Sequence, residues 1–187
     1  MNASQSGVGV ALSAYCALYN SGSLVFLTGA MPATPETALS GNTTLCTGVY
    51  SATAYGAPAF STPNMVATAS FTAGSYTPVA AGSCTFARGY KSDGTTVEGD
   101  FTVGSAWIAS QAAVLGQYCT SSGNTYKCTT AGTSSTTTPS GTTTFTDGTA
   151  VWTYQGAGQL FDVLISNPII QLAVPVAITQ TMKMPAV

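Results

Sequence analysis

The chain has 187 residues, of which 45% are apolar and only 5% are charged, and its formal net charge at pH 7 is −2. Its four basic residues are scattered along the sequence, which argues against binding to nucleic acid, because phosphate backbones are bound by clustered Lys and Arg. Histidine is absent, and this removes the usual general base near neutral pH and the commonest zinc ligand.

Charge is scarcest in the first half of the chain, where Glu36 is the one charged side chain between Met1 and Ala87. About a quarter of the residues of an average soluble domain are charged, and surface charge keeps molecules apart in solution. A chain with so little charge and a mean hydropathy of +0.28 is not expected to live as a free monomer. Either other protein covers its surface, or Ser, Thr, Asn and Gly alone keep it soluble. The composition therefore predicts assembly rather than chemistry.

The sequence predicts no membrane span and no secretory signal. The longest apolar stretch, Ile169–Ile178, is interrupted by Gln171 and Pro175 and is shorter than the roughly 20 residues that a spanning helix needs. No basic residue precedes Arg88, so the basic region that begins a secretory signal is missing. We expect the chain to be made in a cytoplasm and to leave it, if at all, without a cleaved signal.

The first forty residues predict a helix, a strand and a loop. The helix covers Gly7–Tyr19 and can be capped by Ser4 or Ser6. Its apolar residues recur at the spacing of one helical face, at Val10, Ala14 and Leu18. The continuous apolar run Leu24–Thr28 is typical of a buried strand, and Met31–Asn42, with two prolines and a Gly-Asn turn, is predicted to be a loop.

Strand-like stretches then recur at intervals of about ten residues with turn signals between them. They are Thr44–Thr53, Met65–Phe71, Gly82–Tyr90, Thr95–Val103, Leu160–Ser166 and Ile169–Lys183. This spacing favours an all-β fold, an antiparallel, jelly-roll-like β-sandwich with a short N-terminal helix. Pro175 makes the last stretch either an edge strand or a broken pair of strands, because proline cannot donate to a sheet.

The segment Gln117–Tyr154 has a residue pattern different from that of the preceding strands, and it predicts a β-hairpin module. With Gly123-Asn124 as the two central residues of a tight turn, Cys119 faces Cys128 at a non-hydrogen-bonded site, where the strands lie closest. That separation suits a disulfide, which forms only outside a reducing cytoplasm. We therefore expect a disulfide between these two cysteines. Cys16, Cys46 and Cys84 are expected to be buried as small apolar residues.

Four aromatic residues of this segment are candidate interaction residues. Trp152 and Tyr154 fall on the same face of an alternating strand, and Tyr118 and Tyr126 lie in the predicted hairpin. One interpretation is a platform on which a host glycan stacks. The interpretation we favour is that Trp152 and Tyr154 cover a small two-layer module that has no other core. Asp147 is the one carboxylate or amide nearby that could orient a sugar.

Three acidic residues, Asp93, Glu98 and Asp100, are the one cluster that could supply the paired acids of a glycoside hydrolase. The favoured interpretation is structural. Asp93-Gly94 is a turn dipeptide, and Glu98 and Asp100 share one face of the following strand. The sequence therefore predicts no catalytic residue, no metal site and no cofactor.

Two stretches resemble small structural proteins encoded among the head and tail genes of tailed bacteriophages. They are Leu24–Phe60 and Cys84–Gly104, and together they cover a strand, a loop and two further strands. The matching positions are Pro32-Ala33-Thr34, Thr37-Ala38-Leu39, Gly41-Asn42, Arg88 and Ser92-Asp93-Gly94-Thr95. These are patterns of turns and strands rather than a catalytic signature, and the paired cysteines depart from the family pattern.

There is also a second resemblance. The stretch Gln117–Gly156 is similar to a short β-module found repeatedly in phage virion proteins. The first resemblance then resumes at Phe161–Pro185. The resemblance therefore implies a sandwich formed by residues 1–110 and 158–187, with a β-hairpin module inserted at 111–157.

The two resemblances imply a virion protein that is not an enzyme and is made in the bacterial host cytoplasm. The leading hypothesis is a capsid decoration, or cement, protein on the capsid surface, which bridges major capsid protein subunits and copies of itself. The alternative is a tail- or fibre-associated protein that takes part in host attachment. The low charge of the chain agrees with either location, since repeated subunits bury much of their surface against neighbours.

Overall fold

The computed structural model describes residues 4–73 and 75–186. The described chain begins with one helix, α1, which spans Gln5–Ala17. Seventeen strands follow it, namely β1 Ser23–Leu27, β2 Thr44–Tyr55, β3 Ala59–Ser61, β4 Asn64–Phe71, β5 Ser75–Tyr76, β6 Gly82–Ser83, β7 Phe86–Tyr90, β8 Val97–Ala106, β9 Ala112–Ala113, β10 Tyr118–Ser121, β11 Asn124–Thr130, β12 Gly132–Thr133, β13 Phe145–Asp147, β14 Ala150–Ala157, β15 Val163–Ile165, β16 Ile169–Ile170 and β17 Val176–Pro185.

The predicted helix is confirmed, with Ser4 as its N-cap. The Ser4 side chain accepts a hydrogen bond from the backbone nitrogen of Gly7 at 3.1 Å, which satisfies one of the free N–H groups of the first turn. The helix contacts β2, β4 and β17. It therefore joins the core formed by these three strands.

The predicted face of the helix is wrong. The buried residues are Val8, Leu12 and Cys16, whereas Val10 is 69% exposed. Both sets have helical spacing, and α1 carries neither an acidic residue in its first turn nor a basic one in its last. Because apolar residues occur on more than one face of the helix, spacing alone could not decide which face packs inward.

Seven strands close into a barrel, so the predicted antiparallel, jelly-roll-like sandwich is wrong. The order around the barrel is β8, β15, β17, β4, β2, β1 and β7, and the pairing of β7 with β8 closes it. The strands are also not all antiparallel, because β8 pairs in parallel with β15 and with β10. The observed architecture is mostly β with one short helix.

The long strand β8 makes the closure geometrically accessible. Its first part pairs with β7, from Val97 opposite Tyr90 to Thr102 opposite Phe86. Its later part pairs with β15, with Val103 opposite Val163. The ten-residue strand β8 thereby pairs with both β7 and β15. Without these pairings, β7 and β15 would be edge strands, as in an open sheet.

The last predicted strand, Ile169–Lys183, is divided into β16 and β17, as the alternative of a broken pair of strands predicts. Pro175 lies between β16 and β17. The β17 strand is not an edge, however, because it pairs with β15 on one side and with β4 on the other. Proline precedes this strand and so removes no hydrogen bond from the ladder.

Aromatic side chains fill much of the barrel interior. The Tyr19 ring is wholly buried and packs against Tyr50, Tyr55 and Phe101 at centroid distances of 5.6 to 6.0 Å. One polar side chain, Gln180, is buried among them and accepts a 2.6 Å hydrogen bond from Tyr50 Oη. The hydrogen bond offsets part of the cost of burying the amide.

The strands between 112 and 157 form an extension beyond the barrel. Strands β10, β11, β14 and β13 continue the sheet outward from the end of β8, with Tyr118 opposite Gly104 and Thr120 opposite Ala106. Strands β9 and β12 form a separate two-stranded sheet. We refer to residues 107–159 as the extension. The chain then returns to the barrel at β15.

Removal of residues 112–156, with a short Gly/Ser bridge in their place, should leave a folded barrel. The expected independence follows from packing, because the buried apolar cluster of the extension and that of the barrel share no residue. Circular dichroism and size-exclusion chromatography of the shortened chain test this, with the full chain as control. Aggregation of the shortened chain would mean that residues 111–157 are not an inserted module.

Candidate functional site

Two of the three acidic residues considered for catalysis form ion pairs on the outer face of the barrel. Asp100 receives two hydrogen bonds from the Arg88 guanidinium, Nε to Oδ1 at 2.7 Å and Nη2 to Oδ2 at 2.8 Å. The two side chains are only 3% and 6% exposed. Glu98 pairs with the more exposed Lys91 at 2.8 Å.

The third acidic residue, Asp93, stabilises the turn between β7 and β8. Its Oδ1 accepts from the backbone nitrogens of Thr95 and Thr96 at 2.8 and 2.7 Å. Hydrogen bonds from the Thr96 side chain and backbone, followed by that from Thr95, lower the pKa of Asp93 to about 2. All three carboxylates therefore have structural partners, and Asp93 occupies the turn that the sequence predicted.

The Arg88–Asp100 pair also holds the loop between β1 and β2 against the barrel. Arg88 Nη1 donates to the backbone carbonyl of Thr37 at 3.0 Å. At the end of the loop, Asn42 Nδ2 donates to the carbonyl of Thr28 at 2.7 Å. In the sequence, Arg88, Thr37 and Asn42 are positions at which the chain resembles the phage family. In the structure they anchor this loop.

The extension has a core of its own built on the predicted aromatic positions. Tyr126 is wholly buried and Trp152 is 2% exposed. The Tyr126 ring lies 6.1 Å from that of Tyr154 in an edge-to-face arrangement. The favoured interpretation of the Trp152 and Tyr154 face, a cover over a thin module, describes this packing.

Only part of the aromatic set reaches the surface of the extension. Tyr118 and Tyr154 are half-buried, and the Lys127 ammonium lies 5.3 Å from the centre of the Tyr118 ring. The buried rings of Tyr126 and Trp152 cannot stack on a sugar in this conformation. A glycan platform would therefore be limited to Tyr118 and Tyr154.

A buried carboxylate, Asp147, holds separate segments of the extension together. Its side chain is fully buried and accepts hydrogen bonds from Trp107 Nε1 at 2.8 Å and from the backbone nitrogen of Ser135 at 2.6 Å. Hydrogen bonds to an ionised group are among the stronger ones. Asp147 is thus a structural residue that joins three separate segments of the extension.

The register predicted for the hairpin is wrong by one turn position. The structure places Ser122 and Gly123 at the centre of the turn, with φ of 50° and 77°. Cys119 therefore faces Tyr126 rather than Cys128. Cys128 lies two residues beyond Tyr126 and so occupies the diagonal position, where strand separation is greater than for a facing pair.

All five cysteines are buried free thiols in the described structure. Burial raises the pKa of Cys16 to about 11 and that of Cys84 to about 12. The pKa of Cys119 is raised to about 12 by burial, with further contributions from Asp147 and Cys128. A thiol must ionise to react, so these side chains stay protonated and inert near neutral pH. The predicted burial of Cys16, Cys46 and Cys84 is confirmed.

We expect none of the five thiols of the native protein to react with an alkylating reagent at pH 7 to 8, because all five side chains are buried and burial raises the pKa of each thiol. All five should react once the chain is unfolded in denaturant without reductant. Mass spectrometry of the alkylated chain counts them. Recovery of a linked Cys119–Cys128 peptide from a non-reducing digest would instead establish the disulfide that the sequence predicts.

The outer surface carries few unpaired charges. Of the four basic and six acidic side chains, four form the two ion pairs and Asp147 is buried. Among the described residues, ten large apolar side chains are exposed instead, namely Val10, Leu18, Met31, Val49, Phe60, Val79, Leu115, Leu160, Leu172 and Val174. A surface of this kind has little electrostatic repulsion to keep copies apart.

A concave apolar surface lies between α1 and the β3–β4 hairpin. It encloses about 440 Å³ and is lined by Gly9, Val10, Pro58, Phe60 and Met65 together with three polar residues of the helix. No charged side chain contributes to its lining. The groove is therefore suited to an uncharged partner surface.

Three or more metal-ligating side chains do not come together anywhere in residues 4–73 and 75–186. Nor does this part of the chain contain a helix with the length and apolar character needed to cross a membrane.

No protein-family model, curated protein or solved structure matches the chain.

Proposed function

We propose that this protein is a structural, non-enzymatic component of a bacteriophage particle, and specifically a capsid decoration protein. It binds across neighbouring major capsid subunits and against copies of itself on the capsid surface. The observation that carries this proposal is the outer surface, which combines very few free charges with ten exposed large apolar side chains. Val10 and Phe60 line one apolar groove, and contiguous apolar surface marks a site where other protein binds.

The roles of the acidic residues support a non-enzymatic protein. Glu98 and Asp100 are held in ion pairs, and Asp93 is used to close a turn. Paired acids in a glycoside hydrolase flank a substrate site and have distinct environments that separate their pKa values. Substitution of Glu98 by glutamine should therefore leave the infectivity of particles unchanged.

The barrel and extension give such a protein two separate contact regions. The α1 groove lies on the barrel, while the half-buried Tyr118 and Tyr154 lie on the extension. A specific contact typically buries on the order of 800 Å² on each partner. Repeated over a shell, contacts of modest affinity combine into tight attachment.

Quantitative mass spectrometry and imaging of purified particles test the proposal. We expect many copies distributed over the whole capsid surface, in a fixed ratio to the major capsid protein. A few copies confined to the tail would favour the alternative, a tail- or fibre-associated protein that takes part in host attachment. Particles that contain none of this chain would refute both.

A further inference from the structure

One hydrogen-bond donor in the core of the extension lacks a protein acceptor. The indole Nε1 of Trp152 is buried and bonds to none of the described residues. The residue as a whole is only 2% exposed. Buried polar groups in folded proteins nearly always have a partner, which is either protein or ordered water. The donor therefore calls for an acceptor that is not part of the chain.

A small cavity adjoins Trp152 at the end of β8. It has a volume of about 10 Å³, and its lining includes the buried polar residues Ser105, Gln117 and Ser134. A cavity of this size has room for about one water molecule.

The polar residues around this cavity retain hydrogen-bonding capacity. Ser105 Oγ donates to the carbonyl of Ala106 at 2.7 Å, and Ser134 Oγ donates to that of Ile108 at 2.8 Å. Ser134 Oγ also accepts from the Gln111 nitrogen at 2.9 Å, so it keeps one lone pair that can accept, while Ser105 Oγ keeps both of its own. Gln117 accepts from the Val114 nitrogen through Oε1 at 3.0 Å, so its amide nitrogen remains a donor.

We propose that the cavity binds one ordered water molecule, which accepts a hydrogen bond from Trp152 Nε1 and links the extension to β8. Buried waters of this kind make two to four hydrogen bonds and are integral to the fold. The polar residues of this lining provide that number. Ser105 belongs to β8 and Trp152 to β14, so the water bridges the strand that forms the barrel wall and a strand of the extension.

The two tryptophans give the experiment an internal control. Trp107 Nε1 already donates to Asp147 at 2.8 Å, whereas Trp152 Nε1 has no protein acceptor among the described residues. In the full chain labelled with ¹⁵N at tryptophan, we expect a water cross-peak of the sign of a long-lived contact at the Trp152 Hε1 proton. Trp107 also lines the cavity, but its Hε1 proton is bonded to Asp147 and should show a weaker cross-peak than that of Trp152. A Trp107→Phe variant assigns the two signals.

Absence of the cross-peak at Trp152 would overturn the proposal. A crystal structure at high resolution provides the second measurement, in which we expect a water within hydrogen-bond distance of Trp152 Nε1. Finding Nε1 bonded directly to a protein oxygen, or finding the cavity without density, would also overturn it. Neither measurement depends on the role of the protein in a virus particle.

Discussion

Replacement of Arg88 by methionine should lower the free energy of unfolding by about 3–5 kcal/mol, the usual cost of breaking a buried ion pair. The substitution leaves the Asp100 carboxylate, 6% exposed, without its two charged donors. It also frees the loop that Arg88 holds through the Thr37 carbonyl. Urea unfolding followed by circular dichroism measures the change.

Lys91→Met provides the matched control for this substitution. Lys91 forms an ion pair with Glu98, but its side chain is 38% exposed, and exposed pairs contribute about 1 kcal/mol or less. The double variant Arg88→Met with Asp100→Leu should recover most of the lost stability, because it leaves no unpaired buried charge. Equal effects of Arg88→Met and Lys91→Met would contradict the buried pair.

Substitution of Gly132 by alanine should destabilise the extension by at least about 2 kcal/mol, as expected when an extra group is forced into a well-packed region. A Cβ atom at this position would overlap the backbone carbonyl of Thr149 and lie 2.5 Å from the nitrogen of Ala150. Neither can turn away as a side chain can. Both tryptophans lie in the extension, so their fluorescence during urea unfolding reports the change there.

Gly56→Ala is the control for this glycine. A Cβ atom at Gly56 would meet its nearest neighbour, the carbonyl of Thr68, at an ordinary 3.9 Å. Alanine at a compatible position changes stability by about 1 kcal/mol or less. If Gly132→Ala has no larger effect than Gly56→Ala, the close approach of β12 to the β13–β14 turn is not as described.

The positions of the strands could be predicted because local signals specify them. Alternating apolar residues and the turns between them placed β2, β4 and β8 to within a few residues. The architecture could not be predicted in this way. The inward-facing residues of a barrel wall alternate as they do in a sandwich, and closure depends on the pairing of β15, only three residues long, with β8.

The register of the hairpin shows how a local preference can be overridden. A tight turn of this type needs two residues with positive φ, and Asn124 adopts that conformation more readily than Ser122. The sequence therefore favoured Gly123-Asn124. The structure uses Ser122-Gly123, which puts Cys119 and Tyr126 opposite each other in the core of the extension. Tyr126 and Cys128 are two residues apart and lie on the same face, so the apolar pattern is the same in both registers and could not distinguish them.

The contacts of the candidate site residues also depend on how the strands pair in the folded chain. Glu98 and Asp100 do share a face of β8, as their spacing predicted. Their ion-pair partners come from β7 and its following turn, across the sheet, and no local pattern indicates that pairing. The unpartnered nitrogen of Trp152 likewise depends on how β14 packs against residues before β10.

Closure of the barrel also affects how copies of this chain can associate. Each of the seven wall strands has a hydrogen-bonded neighbour on both sides, so none of them offers a ready template for another chain, and the outermost strand of the extension is only three residues long. Open strands invite fibre formation, which most proteins resist partly with lysine and other charges. In this protein the closed ring of backbone hydrogen bonds replaces charged side chains as the protection against edge-to-edge pairing. Apolar surfaces can therefore contact other proteins without leading to fibre formation.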